Sequence, residues 1–79
     1  MHHSTHRELL SEERTLDNAR IGEGTTIESD VLIGFRYHPK CGPAVIGRHS
    51  ILRKGTIVYG DVRAGDYFQT GHSAVIRVK

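Results

Sequence analysis

The chain has 79 residues, 37% of them hydrophobic, and its 11 Lys and Arg exceed its 9 Asp and Glu by a net charge of +2. That length holds one small domain and excludes an enzyme with a separate cofactor module; with no apolar run near membrane-spanning length and no signal-peptide pattern, a soluble cytoplasmic protein without a membrane partner is expected. The basic residues are interspersed with Gly and aliphatics, which argues against a nucleic-acid partner, and the single cysteine, Cys41, excludes an internal disulfide and a cysteine-based zinc site.

At the N-terminus, Thr5 and Glu8 stand three residues apart as in a capping box, and Leu9, Leu10 and Glu12 to Arg14 are good helix formers. Residues 1–14 are therefore expected to form an extension with a short helical cap. The cap would cover unpaired backbone at the open N-terminal end of the domain that begins at Thr15.

From Thr15 the sequence repeats every six residues: TLDNAR, IGEGTT, IESDVL, IGFRYH, then a seven-residue interruption, then IGRHSI, LRKGTI, VYGDVR, AGDYFQ, TGHSAV and a four-residue stub. The first position is aliphatic at Ile21, Ile27, Ile33, Ile46, Leu52, Val58 and Ile76, and Gly follows it at Gly22, Gly34, Gly47, Gly65 and Gly71. The fifth is small or β-branched at Ala19, Thr25, Val31, Ser50, Thr56, Val62 and Ala74, with Tyr37 and Phe68 as exceptions.

A period of six is neither the 3.6 of a helix nor the bare 2 of a strand. It suits a chain that runs straight, turns a corner of about 120° and runs straight again, three hexads closing one coil and successive coils pairing as parallel strands about 4.8 Å apart. Aliphatics at the first position would stack inward, small residues at the fifth would fit beside the corner, and Gly at the second would supply positive φ at the bend. Nine hexads make about three such coils, an all-β domain over residues 15–79.

The interruption, residues 39–45, holds Pro39, Gly42 and Pro43, which cannot continue a central strand. It is expected to be an extruded loop with Arg36, Tyr37 and His38 at its base, and loops on rigid scaffolds commonly carry recognition. A chain this short is marginally stable alone, so association through the flat faces of the coils is expected.

The [LIV]-G-x-x-x-x hexads resemble those of the hexapeptide-repeat acyltransferases, and the stretches GFRYHPKCGPAVIG and IVYGDVRAGDYFQTGH look like the branch that acylates sugars and other small acceptors. The resemblance implies a left-handed parallel β-helix, a homotrimer, and acetyl-coenzyme A or another acyl-coenzyme A as co-substrate. The family's catalytic histidine matches His72 in Thr70-Gly71-His72, which would take a proton from an acceptor amine or hydroxyl, a task suited to imidazole. Asp61, Gln69, Tyr37 and His38 fall in the matching stretches as acceptor-binding candidates, and Arg53 and Arg63 suit coenzyme A phosphates or ordinary ion pairing. No metal is expected: His38, His49 and His72 occupy different hexad positions.

Relative to that family the chain lacks the later coils that build the pantetheine groove. It is therefore expected to be either a truncated acyltransferase that keeps the acceptor end of the site or a noncatalytic oligomeric binding or assembly module.

Overall fold

The computed structural model describes residues 14–78. They form nine short strands, β1 (Arg14–Leu16), β2 (Ala19–Ile21), β3 (Thr26–Ile27), β4 (Leu32–Phe35), β5 (Ala44–Ile46), β6 (Ile51–Leu52), β7 (Ile57–Tyr59), β8 (Arg63–Ala64) and β9 (Val75–Ile76). Among the described residues there is no helix, and so none long and apolar enough to cross a membrane. The expected helical cap falls on residues outside those described, apart from Arg14, which begins β1.

From β2 onward the chain visits three parallel sheets in rotation. Sheet A has the order β1-β2-β5-β8, sheet B is β3-β6, and sheet C is β4-β7-β9. Ala19 pairs with Ala44, Thr26 with Ile51 and Leu32 with Ile57, each 25 residues on. Val45 then pairs with Arg63, Ile51 with Gln69 and Ile57 with Val75, each 18 residues on. Eighteen is three hexads, and the extra seven in the first circuit are the interruption. This arrangement is compatible with a β-helix-like coil.

The hexad places the core correctly. Ile21, Ile33, Ile46, Leu52 and Val58 at the first position and Ala19, Thr25, Ser50, Thr56 and Val62 at the fifth are all buried. Each buried aliphatic contributes about 1.5–3 kcal/mol relative to exposure. The middle circuit is sealed on both sides, whereas Ile27, Val31, Phe68 and Ile76 in the outer circuits are only partly buried.

Hydroxyls at the fifth position, and Thr70 at the first, bind backbone that the corners leave unpaired. Ser50 Oγ donates to Gly47 O and accepts from Phe68 N–H, and Thr70 Oγ1 accepts from Arg53 N–H and lies 2.9 Å from Thr56 Oγ1.

Four expectations need correction. Thr15 and Leu16 do not open a parallel circuit: β1 folds back antiparallel on β2, with Leu16 opposite Ala19. Positive φ falls not on the second-position glycines but on the fourth position, at Asn18, Gly24, Asp30, His49, Gly55, Asp61, Tyr67 and Ser73. Gly34, the one second-position residue with positive φ, forms a bulge in β4. Gly47 serves a different need, because a Cβ there would lie 2.5 Å from the backbone of Gly65 and Asp66 in the next circuit.

The interruption also begins earlier than residues 39–45, since Ala44 and Val45 already belong to β5. Phe35 pairs with Tyr59, and Ala44 takes the place that Val62 takes one circuit later. The excursion therefore spans residues 36–43, and the buried fifth-position residue of that hexad is Ala44 rather than the exposed Tyr37.

Candidate functional site

The excursion leaves sheet C and returns to sheet A at a corner closed by side chains. Asn18 Nδ2 donates to both Gly34 O, 3.0 Å, and Gly42 O, 3.1 Å, and Cys41 is buried against Gly60, where a Cβ would overlap its sulfur. Within the excursion Lys40 N–H and Cys41 N–H turn back to His38 Nδ1 and His38 O.

Asp61 fixes Tyr37. Its Oδ2 accepts the Tyr37 hydroxyl at 2.6 Å and its Oδ1 accepts Gly42 N–H at 2.9 Å. The hydrogen bond to Asp61, with some desolvation and the same carboxylate's charge, pushes the Tyr37 phenol up to about 12. The Tyr37 hydroxyl and then the Gly42 N–H hold the Asp61 carboxyl below its ordinary value.

Aromatic rings continue from there. The Tyr37 ring lies 4.6 Å from the His38 ring edge to face, and 5.6 Å from Tyr59 with 32° between the planes. Tyr59 meets Phe35 edge to face at 4.9 Å, and the Arg77 guanidinium stands over the Tyr59 ring at 5.9 Å. Tyr37, Tyr59, Arg77 and Val78 line an open pocket of about 360 Å³.

His72 stands at another corner, between sheets B and C. Its imidazole is exposed, with Nδ1 3.9 Å from Glu28 Oε1. Glu28 in turn accepts Lys54 N–H at 2.8 Å and sits 3.9 Å from Arg53. Beneath this surface, Thr56 Oγ1 donates to Gly71 O and Ser73 N–H donates to Lys54 O, so the His72 backbone is held on both sides.

The structure thus brings Tyr37, His38 and Asp61 together and leaves His72 apart from them; the two corners flank the same sheet C. Gln69 is exposed and pairs through its backbone with Ile51, and Arg63 is exposed on β8. His38, His49 and His72 occupy three different corners, His49 stacking on Tyr67 at 5.4 Å. Among the described residues, no cluster of three or more His, Cys, Asp or Glu side chains is placed to hold a metal ion.

Sequence reasoning did not single out Glu28, Tyr59 or Arg77. A signal existed for all three: in IESDVL, VYGDVR and IRVK, Glu28, Tyr59 and Arg77 stand where other hexads carry Gly. The Gly34 bulge brings Phe35 into the same column, so Phe35, Tyr59 and Arg77 lie in successive circuits of sheet C.

Comparison with known proteins finds no matching family model, no matching curated protein and no matching solved structure.

Proposed function

We propose that this chain is a left-handed parallel β-helix of about three coils that transfers an acyl group from acyl-coenzyme A to the amine or hydroxyl of a small acceptor, as a homotrimer, with His72 as general base. The observation that carries the proposal is the facing of His72 Nδ1 and the Glu28 carboxylate on a rigid corner. If the pair closes from 3.9 Å to hydrogen-bond distance when the acceptor binds, the Glu28 carboxylate holds the tautomer that leaves Nε2 as proton acceptor. Nε2 takes the proton as the acceptor nitrogen or oxygen attacks the thioester carbonyl; the carbonyl–sulfur bond breaks, and the departing thiolate takes the proton from His72. Tyr37, His38 and Asp61 bind the acceptor in this scheme. Because they stand apart from His72 within one chain, the scheme requires a neighbour's corner to complete the site, as a trimer would provide.

The noncatalytic assembly module is the second reading. The edge formed by β8 and β9 favours it, because Gly65 and Gly71 there have no atom within 4 Å of a would-be Cβ. Thiol release from acetyl-coenzyme A over a panel of amine and hydroxyl acceptors separates the two. Acyl transfer is expected, falling about 10²–10⁴-fold in His72→Ala with the oligomer unchanged by size-exclusion chromatography. Full activity in that variant would remove His72 as base, and no turnover with any acceptor would favour the assembly module.

A further inference from the structure

The open pocket over sheet C joins two aromatic rings to one cation. Its walls are the Tyr37 and Tyr59 rings, and the Tyr37 ring cannot swing freely because Asp61 holds its hydroxyl and Gly42 holds Asp61. Phe35 supports Tyr59 from the circuit below. Across the top lies Arg77, whose guanidinium faces the Tyr59 ring; among the described residues no carboxylate pairs with it, whereas Arg36, Arg48 and Arg53 each meet an acid.

The Arg77 guanidinium carbon lies 5.9 Å from the Tyr59 ring centroid, and its N–H groups, on which no carboxylate sits among the described residues, can grip an oxyanion in bidentate fashion. About 360 Å³ is the lower end of the range for small-molecule sites and suits one ring with its substituents. Aromatic walls favour a flat ring face.

We infer that this pocket binds a single-ring molecule bearing a carboxylate or phosphate, the ring against Tyr37 and Tyr59 and the anion on Arg77. The inference rests on the acyl-transfer reading only in naming the ligand as acceptor, its amine or hydroxyl being the group acylated.

The test measures binding alone, without acyl-coenzyme A. Benzoate and phenyl phosphate carry the two anions on one flat ring, and benzamide is the neutral counterpart. Titrations followed by amide NMR shifts are expected to show saturable binding of at least one anion, centred on Tyr37, Tyr59 and Arg77, with benzamide about ten-fold weaker or more. The stronger of the two anions identifies the oxyanion. Arg77→Gln is expected to weaken the anion about ten-fold and leave benzamide unchanged, with Arg77→Lys intermediate. Tyr37→Phe keeps the ring while releasing Asp61, and retains anion preference.

Equal affinity for benzoate and benzamide, unchanged anion binding in Arg77→Gln, or no binding of either anion would overturn the inference. A protein that binds the anions yet transfers no acyl group keeps this site and loses the proposed reaction. One that acylates neutral acceptors in preference to anionic ones does the reverse.

Discussion

Replacing Gly47 by alanine would put a methyl group 2.5 Å from both the Gly65 oxygen and the Asp66 nitrogen, close to 1 Å short of ordinary contact. Both obstacles are backbone, so no rotamer change relieves them; the second and third circuits must part. The bonds at risk are Gly47 N–H to Ala64 O at 2.9 Å, Arg48 N–H to Asp66 Oδ1 at 2.8 Å and Tyr67 N–H to Arg48 O at 2.8 Å. Overpacking costs about 1–3 kcal/mol and a weakened hydrogen bond about 1 kcal/mol, so Gly47→Ala should cost about 2–4 kcal/mol. Gly65→Ala, the same hexad position one circuit on, meets nothing within 4 Å. It should be neutral or stabilise by up to about 1 kcal/mol through reduced unfolded-state entropy. Urea unfolding followed by circular dichroism reads both as midpoint shifts at constant slope. If Gly47→Ala stays within about 0.5 kcal/mol of the parent, the layer-clearance argument is refuted. If Gly65→Ala falls equally far, something covers the β8 and β9 edge in solution.

The hydrogen bonds lead to two further outcomes. In an absorbance titration the Tyr37 phenol should ionise at about 12, returning toward the ordinary value near 10 in Asp61→Asn. Its folded-state pKa is raised, so its contribution to stability is complete below about pH 10 and is lost as pH rises through about 12. Asp61 has the opposite sign: its folded-state pKa is lowered, so its contribution is present above about pH 3.9 and is lost as acid takes the solution through the lowered value. Thr70→Val, which keeps shape but removes the hydroxyl that accepts Arg53 N–H and meets Thr56 Oγ1, should cost about 1–3 kcal/mol by calorimetric or urea unfolding. An unchanged midpoint in Thr70→Val would remove the hydroxyls from the account of the corners.

The six-residue period made the interior legible because inward-facing residues recur at positions one and five in every circuit, as Ile21, Ile46 and the partly buried Ala64 show along sheet A. It could not locate the excursion within its hexad. Ile46 restores the phase wherever the seven extra residues enter between Ile33 and Ile46, so Tyr37 and Ala44 were equally eligible for the fifth position. Only the pairing of Phe35 with Tyr59 decides between them. The corner conformation was hidden for another reason. The fourth position is Asn18, Gly24, Asp30, Gly55, Asp61 or Ser73 at six corners but His49 and Tyr67 at two, a mixture less conspicuous than the recurrent Gly at the second position. Of the candidate site, Tyr37 and His38 were legible at the base of a loop, and Asp61 only through the resemblance of its stretch to the acyltransferases. The Tyr37–Asp61 bond joins residues 24 apart, and neither composition nor period encodes it. Arg77 over Tyr59 depends likewise on the stacking of circuits.

Asn18 closes the neck of the excursion, its one amide gripping Gly34 on the outgoing limb and Gly42 on the returning limb. Gly60 N–H to Phe35 O and Asp61 N–H to Gly42 O complete the closure against the circuit above. A loop whose two feet are bolted to the scaffold in this way can change between them at little cost to what lies beneath. Residues 36–40 are therefore expected to tolerate change better than Asn18, Cys41, Gly42 and Gly60, at the loss of the Arg36–Asp17 and Tyr37–Asp61 contacts. Of the residues that line the pocket only Tyr37 lies on this loop, so a graft of five residues would alter one wall while Tyr59 and Arg77 stay on the stack.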